Sequence, residues 1–239
     1  MRRTIRTLFD RVYYVYELVN HLLTLSLDVF WRRRAARAAA LHGGRLWLDL
    51  CTGTGEMAAY LYRIAPLGTR VVAVDFSPMM LGVARKKTET IGVEFSLADA
   101  KSLPFSDNTF DVVSISFATR NLDTPPDGLH GGLGEFLRVL RPGGLFINLE
   151  TSQPPRTCIR WMFHLYVRQI VRLIGALVSG HDEAYVHLST TVTRFHDASA
   201  LATMLSHSGF TQVAYEHLLL GAAAIHFARK VPVSIVWSQ

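Results

Sequence analysis

The rhythm of polar and apolar positions changes near residue 43. Over 4–41, apolar side chains recur at helical spacing (Val12, Val15, Tyr16, Val19, Leu22 and Leu23), and 31–40 is rich in helix formers. His42-Gly43-Gly44 ends that pattern, since glycine past the last periodic turn is a stop signal. Short apolar runs then alternate with amphipathic stretches. The runs at 45–50, 70–74, 93–97, 111–116 and 145–149 read as strands, and 56–64, 77–87 and 129–140 as the helices among them. Ser77-Pro78 offers a hydroxyl N-cap followed by proline at the first helical position. Residues 158–205 break the alternation with two or three helices, and strand texture returns at 213–215 and 223–228.

Strands alternating with helices imply a parallel sheet covered on both faces, so the expected class is α/β. The chain reads as one domain over 1–239, with a helical N-terminal segment at 1–42 and a helical cap at 151–200. At 49% hydrophobic and 18% charged residues, it has enough apolar surface for a sizeable core. The mean hydropathy of +0.20 leans toward a membrane. Yet no window of about 18 residues is free of charge, so no spanning helix is expected. The basic N-terminus lacks the apolar stretch and cleavage site of a secretory signal. Cys51 and Cys158 have neither metal-ligand nor redox spacing, which reads as reduced thiols in a cytoplasmic protein with no metal. The net charge of +6 comes almost wholly from arginine, clustered at 2–11, 32–37 and 160–172. No nucleic-acid motif accompanies these clusters, which leaves solvated faces and an anionic membrane surface as the better readings.

The most informative stretch is Leu46-Trp47-Leu48-Asp49-Leu50-Cys51-Thr52-Gly53-Thr54-Gly55-Glu56, a strand, a glycine turn and a helix start. Glycines there let the backbone approach a ligand at the carboxyl end of the sheet. Gly53 to Ala58 alone fits the general dinucleotide pattern, a weak signal that a purely structural turn also satisfies. Asp49 shifts the balance, because an acid opening the turn repels a pyrophosphate and suits a ligand bearing an ammonium and a sulfonium. Asp75 ends the second strand, where a carboxylate can take two ribose hydroxyls. Asp99-Ala100 follows the third strand, within reach of an adenine edge. Acids at the ends of three successive strands form a constellation that chance surface placement rarely produces.

These motifs, in this order, resemble the class I methyltransferases, and more closely the ubiquinone/menaquinone biosynthesis C-methyltransferase family. The resemblance spans nearly the whole chain. It rests on Tyr16-Glu17-Leu18-Val19-Asn20 with Ser26 and Trp31, on Leu103 to Asp111 with Ser116 to Asn121, and on Arg138-Val139-Leu140-Arg141-Pro142-Gly143-Gly144 with Glu150-Thr151-Ser152. It implies a Rossmann-like, doubly wound sheet of seven strands with one antiparallel strand near the edge. It implies S-adenosyl-L-methionine as cofactor, with Thr54, Asp75, Asp99, Ala100 and Ser116 at the family's contact positions. Asp49, Gly53 and Gly55 match the general methyltransferase loop. Departures at Glu17, Val19, Asp28, His181 and His196 fall mostly in segments expected to cap the acceptor.

The implied reaction is C-methylation of a demethylated isoprenoid quinol, closest to demethylmenaquinol becoming menaquinol. The benzoquinol step of ubiquinone synthesis, or another hydrophobic acceptor, is the alternative. A ring carbon becomes nucleophilic when its neighbouring hydroxyl ionises, so a base or cation should sit beside it. Arg120 matches the family's Arg-Asn pair and either stabilises the phenolate or pairs with a nearby acid as structure. His181 and Tyr185 are further catalytic candidates, and Tyr16 and Asn20 are candidates for lining the acceptor pocket. Between 160 and 177, Arg160, His164, Arg168 and Arg172 form a basic stripe opposite an arc containing Met162, Phe163 and Tyr166. Such a helix suits the inner face of the cytoplasmic membrane, where a lipophilic quinol is met, and equally suits core packing or a homodimer interface.

Overall fold

The computed structural model describes residues 10, 16–123, 128–171, 173 and 182–232. Its strands are β1 (Leu46–Leu50), β2 (Arg70–Asp75), β3 (Glu94–Leu97), β4 (Phe110–Ser116), β5 (Leu140–Thr151), β6 (Thr211–Leu218) and β7 (Ala223–Arg229). They form one sheet in the order β3-β2-β1-β4-β5-β7-β6. Neighbours from β3 to β5 are parallel, and β7 runs antiparallel to both β5 and β6. This is the doubly wound, Rossmann-like sheet with its single reversed strand next to the edge.

Strict alternation within the strands makes the two cores. Leu48, Val72, Val74, Val113 and Phe146 face one side, and Trp47, Val71, Ala73, Val112 and Ile147 the other. On the first side α6 (His130–Val139) and α9 (Ala198–His207) deliver Leu133, Phe136, Leu201 and Leu205. On the second, α2 (Leu27–His42) and α3 (Glu56–Ile64) deliver Ala35, Ala36, Ala39, Met57 and Leu61. The small alanine face of α2 lets that helix lie close to the sheet.

Local boundaries depart from the sequence pattern in three places. Over residues 16–42 the chain forms two helices, α1 (Tyr16–Thr24) and α2, because Leu25 and Ser26 adopt φ of 52° and 60°. The helix α4 (Pro78–Ala84) starts as expected, with Ser77 Oγ accepting from Met80 N at 3.2 Å, but stops at Ala84, ahead of a separate 3-10 turn at Thr88–Thr90. Finally, β5 begins at Leu140 rather than 145, and Arg141-Pro142-Gly143-Gly144 is a bulge inside it. Gly143 at φ +76° allows the extra residues to loop out while pairing with β4 resumes. Two more helices, α7 (Thr157–Tyr166) and α8 (Asp182–Arg194), cover the carboxyl end of β5. Among the described residues no helix is long and apolar enough to cross a membrane.

Candidate active site

The chain winds outward from β1 to β3 on one side and resumes with β4 on the other. The resulting switch point, outside the carboxyl ends of β1 and β4, is where doubly wound sheets bind ligands. A cavity opens there, walled by the turns after β1, β2, β3 and β4. Gly53, Thr54, Asp75, Asp99, Ala100 and Ser116 all border it. Asp75 organises the wall: its Oδ2 accepts from Gly53 N and its Oδ1 from Ser77 N, both at 2.8 Å. One carboxylate therefore ties the glycine turn to the start of α4.

Asp49 and Gly55 are not among the residues bordering the cavity. Asp49 shares the face of Trp47, under α2 and α3, and is fully buried. Its carboxylate accepts from Thr52 Oγ1 at 2.6 Å and Ser114 Oγ at 2.7 Å, so it braces the turn from below. Gly55 has φ +83°, and a Cβ there would lie 3.0 Å from Ala84 Cβ. Gly53 differs: at φ +56° a Cβ would meet nothing within 4 Å, leaving its bare face toward the cavity. Gly55→Ala should cost about 1–2 kcal/mol from the left-handed conformation, read as a lower urea midpoint with the m-value unchanged.

Three features of the site carry no local sequence signal. Cys51 and Phe117, both on the cavity wall, hold left-handed φ of 51° and 54°. Such non-glycine strain clusters at ligand sites because the surrounding structure must impose it. Burial, with the carboxylates of Asp75, Asp49 and Asp99, pushes the Cys51 thiol well up, so it stays neutral. The third feature is a clasp from the N-terminal helices. Arg32, buried on α2, donates through Nη2 to Glu56 Oε2 at 3.0 Å and stacks 5.0 Å from the Phe117 ring. His21 joins the same group, with Nδ1 3.0 Å from Asp28 Oδ1 and Nε2 3.1 Å from Glu56 Oε1. Arg32 and Glu56 border the cavity, so charged groups from α2 and α3 close its rim, with His21 of α1 bracing them from behind.

The neighbouring wall of the site is built on α5 (Thr119–Leu122), β5 and α8. Arg120 is buried and donates through Nη1 to Glu150 Oε1 and to Phe117 O, both at 2.7 Å. Its Nε is buried with no hydrogen-bond partner. Tyr185 is buried on α8, which packs against α5. Two residues on, α8 also carries His187, which the sequence reading missed and whose buried Nε2 has no hydrogen-bond partner. Burial, then the nearby Arg120 cation, lowers the His187 pKa, so the ring is neutral and able to take a proton. Asn20 sits partly buried on α1, apart from the residues that border the cavity. His181 and the side chain of Tyr16 lie outside the described residues.

The model of the ubiE/COQ5 methyltransferase family matches residues 1–230. A demethylmenaquinone methyltransferase of Thermus thermophilus is 41% identical over 221 residues, covering 92% of this chain and 98% of that protein. The ubiquinone/menaquinone biosynthesis C-methyltransferase UbiE of Desulfotalea psychrophila is 35% identical over 226 residues, covering 95% and 90%. Among solved structures, a SAM-dependent methyltransferase of Thermotoga maritima superposes with a TM-score of 0.65 over 95% of this chain and 99% of that one. At 19% identity that likeness concerns the fold. With identity of this order across nearly its whole length, and a glycine turn and carboxylates meeting at the switch point, the chain belongs to the ubiE/COQ5 methyltransferase family.

Proposed function

We propose that the protein transfers a methyl group from S-adenosyl-L-methionine to a ring carbon of a demethylated isoprenoid quinol, converting demethylmenaquinol to menaquinol. The observation that carries this reading is the junction of the cofactor-type cavity with α5, where Arg120 lies between the cavity-wall residues Ala118 and Asn121. The names borne by the relatives supply the acceptor class. The donor set fits the cofactor: Asp75 offers acceptors to a ribose diol, Asp99 lies on the wall after β3, and the bare face of Gly53 admits close approach. Asp49 acts indirectly, by holding Thr52 and the turn.

When bound, S-adenosyl-L-methionine provides a methyl group activated by the positive charge on sulfur. The chain must align the acceptor carbon and favour the phenolate beside it. Arg120 would turn a free guanidinium N–H toward that oxygen, directly or through a water; Nη1 is committed to Glu150 and Phe117, and Nε has no hydrogen-bond partner. The hydroxyl proton would pass to a base on the cap segment, with His187, whose Nε2 is buried without a partner, beside Tyr185 and His181 as the candidates.

A benzoquinol acceptor is the second reading, favoured by the Desulfotalea relative, whose name covers both quinone pathways. Purified protein in detergent, given methyl-labelled cofactor and a short-chain demethylmenaquinone, should label the acceptor only when the quinone is reduced. Equal labelling of oxidised substrate would remove the phenolate from the mechanism. Labelling of a reduced demethylated benzoquinone alone would reassign the acceptor.

A further inference from the structure

The helix α7 leaves the sheet at the carboxyl end of β5, the edge on which the cavity opens. None of its ten residues is buried. Its inner face is accounted for: Phe163 and Tyr166 pack with Val167, Val171, Leu188 and Val192. His164 Nε2 lies 2.7 Å from Gln153 Oε1, whose amide in turn donates to Val192 O at 2.8 Å. Arg160 is pinned to Pro154 O at 2.8 Å. So half of the basic stripe read from the sequence turns inward. What remains outward is apolar: Trp161 is 66% exposed, Met162 63% and Leu165 47%, one helical face at i, i+1 and i+4. Arg156 and Arg168 are exposed at the two ends of that face.

The surrounding charge points to one partner. From Ser152 to His181 the chain has four arginines and no aspartate or glutamate. A protein interface balanced for a second copy of this chain would bring these arginines against one another, whereas an anionic lipid surface neutralises them all. Tryptophan beside aliphatic side chains, rimmed by arginine, is the composition of a helix lying in the headgroup layer. We propose that α7 docks flat on an anionic bilayer, with Trp161, Met162 and Leu165 inserted at the headgroup boundary and Arg156 and Arg168 on lipid phosphates. The docked helix sets the cavity's edge against the membrane, and the inference holds whatever the acceptor turns out to be.

The test uses the full chain and quinone-free vesicles of phosphatidylcholine, with or without 30 mol% phosphatidylglycerol (roughly the anionic content that makes juxtamembrane basic residues count). Wild type should co-sediment at least about tenfold better with the anionic vesicles, and added salt should weaken that binding. A Trp161→Ser, Met162→Ser variant should lose about tenfold on anionic vesicles. An Arg156→Glu, Arg168→Glu variant should lose the preference for phosphatidylglycerol. All of these side chains are surface groups, and circular dichroism checks that the variants fold. Equal binding of wild type and the Trp161/Met162 variant would overturn the proposal, as would no binding by wild type. It would also fall if light scattering showed a wild-type dimer that the Trp161/Met162 variant reduces to monomer, because α7 would then be a contact between copies.

Discussion

Arg120→Ala should lose about 3–5 kcal/mol of stability, before any question of catalysis arises. The reason lies in Glu150, whose side chain is 1% exposed and faces an Arg120 side chain that is 5% exposed. Glu150 Oε1 accepts from Arg120 Nη1 and Thr151 N, both at 2.7 Å, and Oε2 accepts from Arg120 N at 3.2 Å. The main-chain bonds survive the substitution, but the guanidinium that neutralises the carboxylate does not. Removing one partner of a buried pair leaves the other as an uncompensated charge, and this costs more than the pair itself contributes. The double variant Arg120→Ala, Glu150→Gln should therefore recover part of the lost stability, since glutamine removes the uncompensated charge but sets its amide nitrogen against one of the two backbone donors, Thr151 N or Arg120 N. Turnover separates the two roles of Arg120. If the guanidinium also stabilises a phenolate, the double variant will be stable yet slowed by about 10²–10³-fold in kcat, the range for losing one oxyanion donor. A stable double variant with wild-type kcat would reduce Arg120 to a structural partner of Glu150. Chemical denaturation and steady-state rates on the two variants decide between these outcomes.

The sheet and the cavity were legible for the same physical reason. Period-two alternation such as Val71-Val72-Ala73-Val74 has to serve two cores, and the residues that end each strand fall at the edge where ligands bind. That is why Gly53, Asp75, Asp99 and Ser116 could be placed together without any contact being known. Asp49 shows the limit of reading position without parity. It shares a face with Trp47, and that face lies under α2 and α3 rather than open to the cavity. Arg32 was hidden in a run of arginines, although its spacing to Ala35, Ala36 and Ala39 places it on the buried stripe of its helix. The strain at Cys51 and Phe117 was invisible because neither is glycine and both are forced by tertiary packing. The outward face of α7 was not readable either. Which half of that helix is covered depends on Leu188 and Val192 of α8, about twenty residues later in the chain.

Asp75→Asn should weaken cofactor binding by about 10–10³-fold, the loss of one charge-assisted hydrogen bond at about 1.5–3 kcal/mol and of the charge on the other. Each Asp75 oxygen spends one acceptor site on the backbone, at Gly53 N or Ser77 N, and keeps another for a hydroxyl. Asparagine can keep only one of these oxygens and sets an amide donor against a backbone N–H. The pH dependence follows from the same carboxylate. Burial pushes Asp75 from an ordinary 3.8 to about 6, opposed by the backbone donors of Ser77, Gly53 and Phe76. Asp49, fully buried close by, is raised to about 6 as well, again mainly by burial. Only the ionised Asp75 accepts from both ribose hydroxyls. Affinity should then be flat above about pH 6 and fall by up to tenfold per pH unit below it, with proton release on binding in that lower range. Stability of the unliganded protein moves the other way. Between 3.8 and about 6 the folded state holds protons that the unfolded state has lost. The contribution of these two groups is therefore greatest below 3.8, declines as pH rises, and levels off above about 6. Calorimetric titrations of the wild type from pH 5 to 8 in buffers of different ionisation enthalpy, paired with melts of the unliganded protein, measure both trends. Affinity unchanged across that range, or an Asp75→Asn variant that binds like wild type, would show that the ribose hydroxyls are held by some other group.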